Sequence, residues 1–217
     1  MADAIQDYWA LQLERAKKAL EANHFGVYIA DTRKMAKKMA RDVIIPQISP
    51  RTISWGGSMT FVNSGLYDEL KSDSRYTILD TYDKQISPEA GAQRRREALL
   101  ADLFITGANA ITQAGHVVNL DMVGNRVGAL TFGPRHVLLL VGRNKLVSDQ
   151  AAAMARIKKY AAPVNAMRLG KQTPCAKTGC CENCASPDRI CNTWVITEKC
   201  FPQKRINIIL INEAMGL

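Results

Sequence analysis

Ile5, Trp9, Leu13, Ala16 and Leu20 recur at helical spacing on one face, which predicts a helix over residues 4–22, with Leu11 off the stripe. A short apolar segment follows at Val27–Ile29, and Asp31 and Thr32 cap a second helix that runs to about Val43. Pro46 and Pro50 bracket a loop. Thr52–Trp55 reads as a short strand ending in Gly56-Gly57-Ser58, with a helix from Met59 to Lys71. The pattern then repeats. Tyr76–Leu79 is a strand, Ser87 and Pro88 open a helix through Leu100, and Asp102–Thr106 is a buried type of strand that stops at Gly107. His116–Leu120 is another strand, with a turn near Gly124-Asn125-Arg126. Val137–Val141 is an unbroken apolar run, as expected of a central parallel strand. An Ala-rich helix covers Asp149 to about Tyr160, and Pro163 starts a further turn. Two last β segments lie at Thr193–Thr197 and Ile206–Ile211.

Strands alternating with helices predict an α/β fold, a mostly parallel sheet with helices on both faces. The final two strands are joined by residues 198–205 alone, which predicts an antiparallel hairpin. There is no internal repeat. The expected organisation is one domain over 1–217 with a cysteine-rich loop at about 173–192.

Composition narrows the class. At 217 residues and 47% hydrophobic, the chain can build one substantial core. No apolar run approaches the roughly 20 residues that span a membrane, and the acidic N-terminus does not read as a signal peptide. The expectation is a cytoplasmic protein without membrane insertion. The net charge of +9 is spread over helix faces and the run Arg94-Arg95-Arg96. It comes with no nucleic-acid motif, so it suits attraction of a small anionic metabolite better than DNA. Parallel-sheet proteins of this size often form homodimers, although no interface can be read from the residues.

Ligands of open α/β sheets collect beyond the carboxyl ends of the strands, and three glycine-bearing segments fall there. In the first, Gly56 and Gly57 let the backbone approach a ligand, and Ser58, Thr60 and helix N-terminal amides suit an anion; the alternative is a glycine turn with a serine cap. The second runs from Thr106 to Gly115 and offers Gly107, Asn109 and Thr112. The third runs from Asn119 to Val127; there Asp121, Asn125 and Arg126 are candidates, with Arg126 as a bidentate clamp or as a salt-bridge partner of Asp121. Lys145, after the central strand, either meets the anion or lies in solvent. His116 and His136 stand at strand starts, opposite the ligand edge, and read as packing or surface residues.

All six cysteines fall in the last fifth of the chain, in the spacing C-x4-C-C-x2-C-x6-C-x8-C. The segment TPCAKTGCCENCASPDRIC has too few apolar residues for a core element and suits a loop wrapped around a metal or cluster. The expected ligand set is Cys175, Cys181, Cys184 and Cys191. Cys180 is the alternative to Cys181, because neighbouring cysteines rarely serve one site. Cys200 is spare. Disulfides and free thiols are the competing readings. Lys177, Arg189 and Lys199 could offset thiolate charge.

The strings SWGGSMT, GANAITQAGHVVNLDMVGNRVGAL, VLLLVGRNKLV, PCAKTGCCENC and SPDRIC, in this order, resemble the LUD-domain (lactate utilisation) family over about residues 4–217. The resemblance implies a fold similar to ribose-5-phosphate isomerase and the CoA transferases, and a role near bacterial lactate oxidation beside iron–sulfur redox proteins. That context favours an iron–sulfur cluster at the cysteines, while the small loop suits zinc equally. Compared with the isomerases, GGSMT resembles their phosphate loop, but Thr106, Asn109 and Ala110 stand where those enzymes carry acids. Family members often carry an acid where this chain has Gln113. A positioned base or nucleophilic carboxylate is therefore missing from these loops apart from Asp121, which argues against an isomerase or CoA transferase. The competing function is a non-catalytic ligand-binding or regulatory module with structural zinc or disulfides.

Overall fold

The computed structural model describes the backbone of Ala2–Leu217 and the side chains from Ala4 onward. Six strands form one all-parallel sheet: β1 (Gly26–Ala30), β2 (Thr52–Trp55), β3 (Thr77–Leu79), β4 (Leu103–Thr106), β7 (His136–Gly142) and β10 (Ile206–Ile211). Their spatial order is β1-β10-β7-β4-β2-β3. The other four are β5 (Ala110–Thr112), β6 (Val117–Asp121), β8 (Leu146–Val147) and β9 (Thr193–Thr197). They make a second, mixed sheet in the order β8-β5-β6-β9.

The apolar runs explain the layering. Successive strand residues point to opposite faces. In β7, Val137, Leu139 and Val141 therefore join one core, with Leu13 and Leu20 of the helix Ala2–Ala22. Leu138 and Leu140 join the other, with Phe61, Leu66 and Ile44. Helices thus cover both faces, as the sequence predicts. A third cluster, with Val118, Leu120, Ala153 and Ile157, seats the helix Gln150–Arg156 on the second sheet.

Several expectations need correction. β9 and β10 do not form a hairpin. β9 pairs antiparallel with β6, and β10 lies between β1 and β7. Every residue of β10 is buried, so this strand needs neighbours and cover on all sides, which a hairpin at a sheet edge would not provide. The connection crosses between sheets by hydrogen bonding to the turn before β1, through Cys200 N to Asn23 O and Lys204 N to His24 O. The helix expected over 59–71 is broken at Gly65, whose φ of +76° stops Met59–Asn63 and starts Leu66–Lys71. Residues 110–112 are strand rather than loop.

Pro46 lies within a helix, not at the edge of a loop. The wide turn Ala40–Ile44 precedes it, with Ile45 N–H donating to Ala40 O. The same device recurs before Pro163, where Ala162 N–H reaches Ile157 O. Proline lacks the N–H of the regular ladder, and a π-type turn absorbs the missing bond without ending the helix.

Candidate functional site

Parallel strands share one carboxyl rim, so everything that follows β2, β3, β4, β7 and β10 emerges on the same side. A cleft of about 360 Å³ opens there. Gly57 and Ser58 line it from the end of β2, Tyr82 from β3, Gly107 and Asn109 from β4, and Lys145 from β7. The second sheet contributes Asp121, Asn125 and Arg126. The far wall is helical, with Ile157, Asn165 and Arg168.

Close packing of the loops explains two of the glycines. A Cβ on Gly107 would stand 2.7 Å from Ser58 Oγ and 3.2 Å from Leu140 O, so the first two loops touch only because residue 107 has no side chain. A Cβ on Gly56 would press on the Phe104 ring at 2.8 Å. Gly56 thus serves packing, whereas Gly57 faces open space. Ser58 caps the helix Met59–Asn63, its Oγ accepting from Phe61 N at 3.2 Å. The serine-cap reading of this loop therefore holds, and that five-residue helix offers no separate anion site. Tyr82 braces the same loop, donating to Gly56 O and accepting from Ser58 N. Burial pushes its phenol up to about 12, so it remains an O–H donor.

Arg126 is a tie rather than a clamp. Nη1 donates to Gly57 O, while Nη2 donates to Asn109 Oδ1 and Leu120 O. One guanidinium thus holds all three glycine-bearing segments. Its Nε is buried without a hydrogen-bond partner, 3.8 Å from Asp121 Oδ1. Burial lowers the guanidinium's hold on its proton, opposed by Asp121 and Tyr82. Asp121 is itself committed: its oxygens accept the amides of Met122, Arg126 and Val127. The carboxylate is spent on starting the helix Asn125–Thr131 and is not placed as a free base.

Lys145 does not lie in solvent; it is 4% exposed. Nζ donates to Thr60 Oγ1 at 3.1 Å, and Thr60 in turn donates to Met215 O. Thr60 is fully buried, so it serves the lysine and not a ligand. Desolvation, then the positive charges of Arg156 and Arg126, lower the amine to about 7. The segment after β10 closes over it, with a Cβ on Gly216 reaching 3.2 Å from Nζ.

Thr112 does not belong to the cleft. It lies in β5, where its Oγ1 accepts from His116 N, and it lines a separate groove against the N-terminal helix. Its face is set by the strand that the glycine-rich composition concealed. His116 sits in the β5–β6 turn beside Gln150, and His136 begins β7; neither lines the cleft. Sequence reasoning missed Tyr82, Asn165 and Arg168. Tyr82 had a signal, since it stands three residues past the end of β3.

The thiol segment packs against the cleft wall. Cys175, Cys181, Cys184 and Cys191 line one small cavity together with Ile190 and Ala162. Cys180 is exposed and outside it, and Cys200 is buried elsewhere, its Sγ donating to Pro202 O. All six thiols are free. Arg189 holds the segment by donating to Cys184 O and Cys191 O, and Lys158 Nζ lies 3.6 Å from Cys191 Sγ. Among the described residues no three metal-ligating side chains form a ready-made ion site. The donors nevertheless fit a four-thiolate metal or cluster in kind and number, with cations beside them. Ala162, Ile190 and Cys191 line both cavities, so the thiols and the cleft share a wall.

Among the described residues no helix is long and apolar enough to cross a membrane. The LUD-domain family model matches residues 13–211. Among solved structures, a DUF162 family protein from Deinococcus radiodurans is 12% identical, with a TM-score of 0.48; the alignment covers 94% of this chain and 98% of that one. No curated protein sequence matches the chain.

Proposed function

Because the chain belongs to the LUD-domain family, we propose that it serves organic-acid redox metabolism of the lactate-utilisation type, binding a small carboxylate in the cleft and an iron–sulfur cluster at Cys175, Cys181, Cys184 and Cys191. The observation that carries this reading is the shared wall at Ile190 and Cys191, which sets the four thiols directly behind an electropositive pocket. Arg168 faces the cleft with only Asn165 as its side-chain partner, and Arg126 adds positive charge from the floor. Asp121, the one acidic side chain lining the cleft, is already engaged by three amides. When bound, a cluster would supply one-electron transfer, and the residues of this chain would hold the anion against that wall. An isomerase or transferase fits less well, because no lining carboxylate is free to take a proton or attack.

The test is anaerobic purification with iron, sulfide and zinc analysis, paired with thermal unfolding in lactate or pyruvate. Iron with sulfide, together with a rise in Tm with either acid, supports the reading. A colourless protein holding zinc, or one with oxidised thiols, supports a ligand-binding module instead. No response to either acid removes the carboxylate assignment.

A further inference from the structure

Lys145 is the one buried lysine of the described chain, and no acidic side chain is among the charges that act on it. Its hydrogen-bond partner is a neutral hydroxyl, Thr60 Oγ1. The charges that act on it, Arg156 and Arg126, are both positive. Arg156 is fixed there by donating to Asn144 O and Asn109 O, and Arg126 by its ties to the loops. A buried ammonium between two guanidiniums, without a carboxylate, is electrostatically unfavourable, and the arrangement favours the free amine. A free amine on the wall of a small electropositive cleft is the arrangement of a nucleophilic lysine.

We infer that Lys145 attacks the carbonyl carbon of a 2-oxo acid bound in the cleft and forms an imine with it, an inference that rests on the carboxylate-binding function proposed above. A 2-oxo acid carries the two features the walls match: a carboxylate for Arg168 and the field of Arg126, and an electrophilic carbon one bond away for the amine. The amine nitrogen bonds to the carbonyl carbon, and the carbonyl oxygen takes up the proton that the nitrogen releases. The nitrogen's second proton joins that hydroxyl, which leaves as water, and the C=N bond remains. No oxidant or reductant is consumed. Thr60 donates its hydroxyl proton to Met215 O, so Oγ1 accepts an N–H of Nζ and leaves the amine's lone pair uncommitted.

The experiment is reductive trapping on the full chain. The protein is incubated with pyruvate or glyoxylate and sodium cyanoborohydride, digested, and mapped by mass spectrometry, with the Tm shift produced by the same acids measured in parallel. The expected result is one reduced adduct at Lys145, suppressed by excess lactate, which has the carboxylate but no carbonyl. Lys145→Arg removes the nucleophilic amine and abolishes the adduct; if that variant does not fold, the site mapping on the unsubstituted protein decides alone. A Tm shift without an adduct at Lys145, or adducts spread over exposed lysines, overturns the imine and leaves carboxylate binding standing. Neither shift nor adduct overturns both.

Discussion

Arg126 Nη2 lies 2.9 Å from Asn109 Oδ1, and the same amide oxygen accepts Leu120 N at 3.0 Å. One side-chain amide therefore joins the guanidinium to the backbone of β6, and through Gly57 O to the loop after β2. The cleft floor is a hydrogen-bonded unit built from three distant stretches of chain.

Removing Arg126 should loosen that unit. Arg126→Met leaves Gly57 O, Asn109 Oδ1 and Leu120 O short of a donor, at a cost of about 2–4 kcal/mol. Urea unfolding should show the loss, and Arg126→Lys should recover only part of it, because an ammonium cannot span the same acceptors. Wild-type stability in the methionine variant would refute the tie.

Lys145 should leave a mark on stability against pH. Its folded-state value of about 7 lies below the ordinary 10.5. The unfolded chain therefore holds the extra proton between those limits, and stability rises with pH across that window. The cost of burying the charge is complete below pH 7, on the order of 5 kcal/mol, and fades towards pH 10. Lys145→Met should thus stabilise the protein at pH 6 and lose more than half of that advantage by pH 9, less the bond to Thr60. Chemical denaturation at the two pH values checks it; an equal difference at both would show an amine with an ordinary proton affinity.

Two neighbouring glycines should respond in opposite ways. Gly107→Ala drives a methyl against Ser58 Oγ and Leu140 O and should cost about 1–3 kcal/mol. Gly57→Ala meets nothing within 4 Å and should change stability by under about 0.5 kcal/mol. Melting curves of the pair read the contrast directly.

The cysteines should separate into three kinds. Cys180→Ser should leave the iron or zinc content per chain unchanged, whereas serine at Cys175, Cys181, Cys184 or Cys191 should lower it. With a thiol reagent, exposed Cys180 should react first. Cys200, 1% exposed, should react only on unfolding. Equal loss of metal with Cys180→Ser would reassign the ligands.

The sheet was legible because burial on both faces writes itself as unbroken apolar runs, as at Val137–Val141. The three glycine turns were legible because each follows such a run. The second sheet was not. β5 is three residues in a glycine-, threonine- and alanine-rich stretch, and β8 is two, too short for any periodicity to register. Thr112 was assigned to the cleft for that reason. The LUD-domain membership expected from the linked motifs agrees with the family match over residues 13–211. Most partners of Arg126 and Thr60 could not be read, since Gly57 O, Leu120 O and Met215 O are backbone carbonyls, and Gly57 and Met215 lie far away in the chain.

The partition at Ala162, Ile190 and Cys191 has a thermodynamic consequence. If the proposed cluster draws the four sulfurs together, any shift of Cys191 changes one face of the cleft, because Cys191 lines both cavities. Loading of the thiols and occupancy of the chamber are then linked equilibria, and whatever factor the first imposes on the second, the second returns to the first.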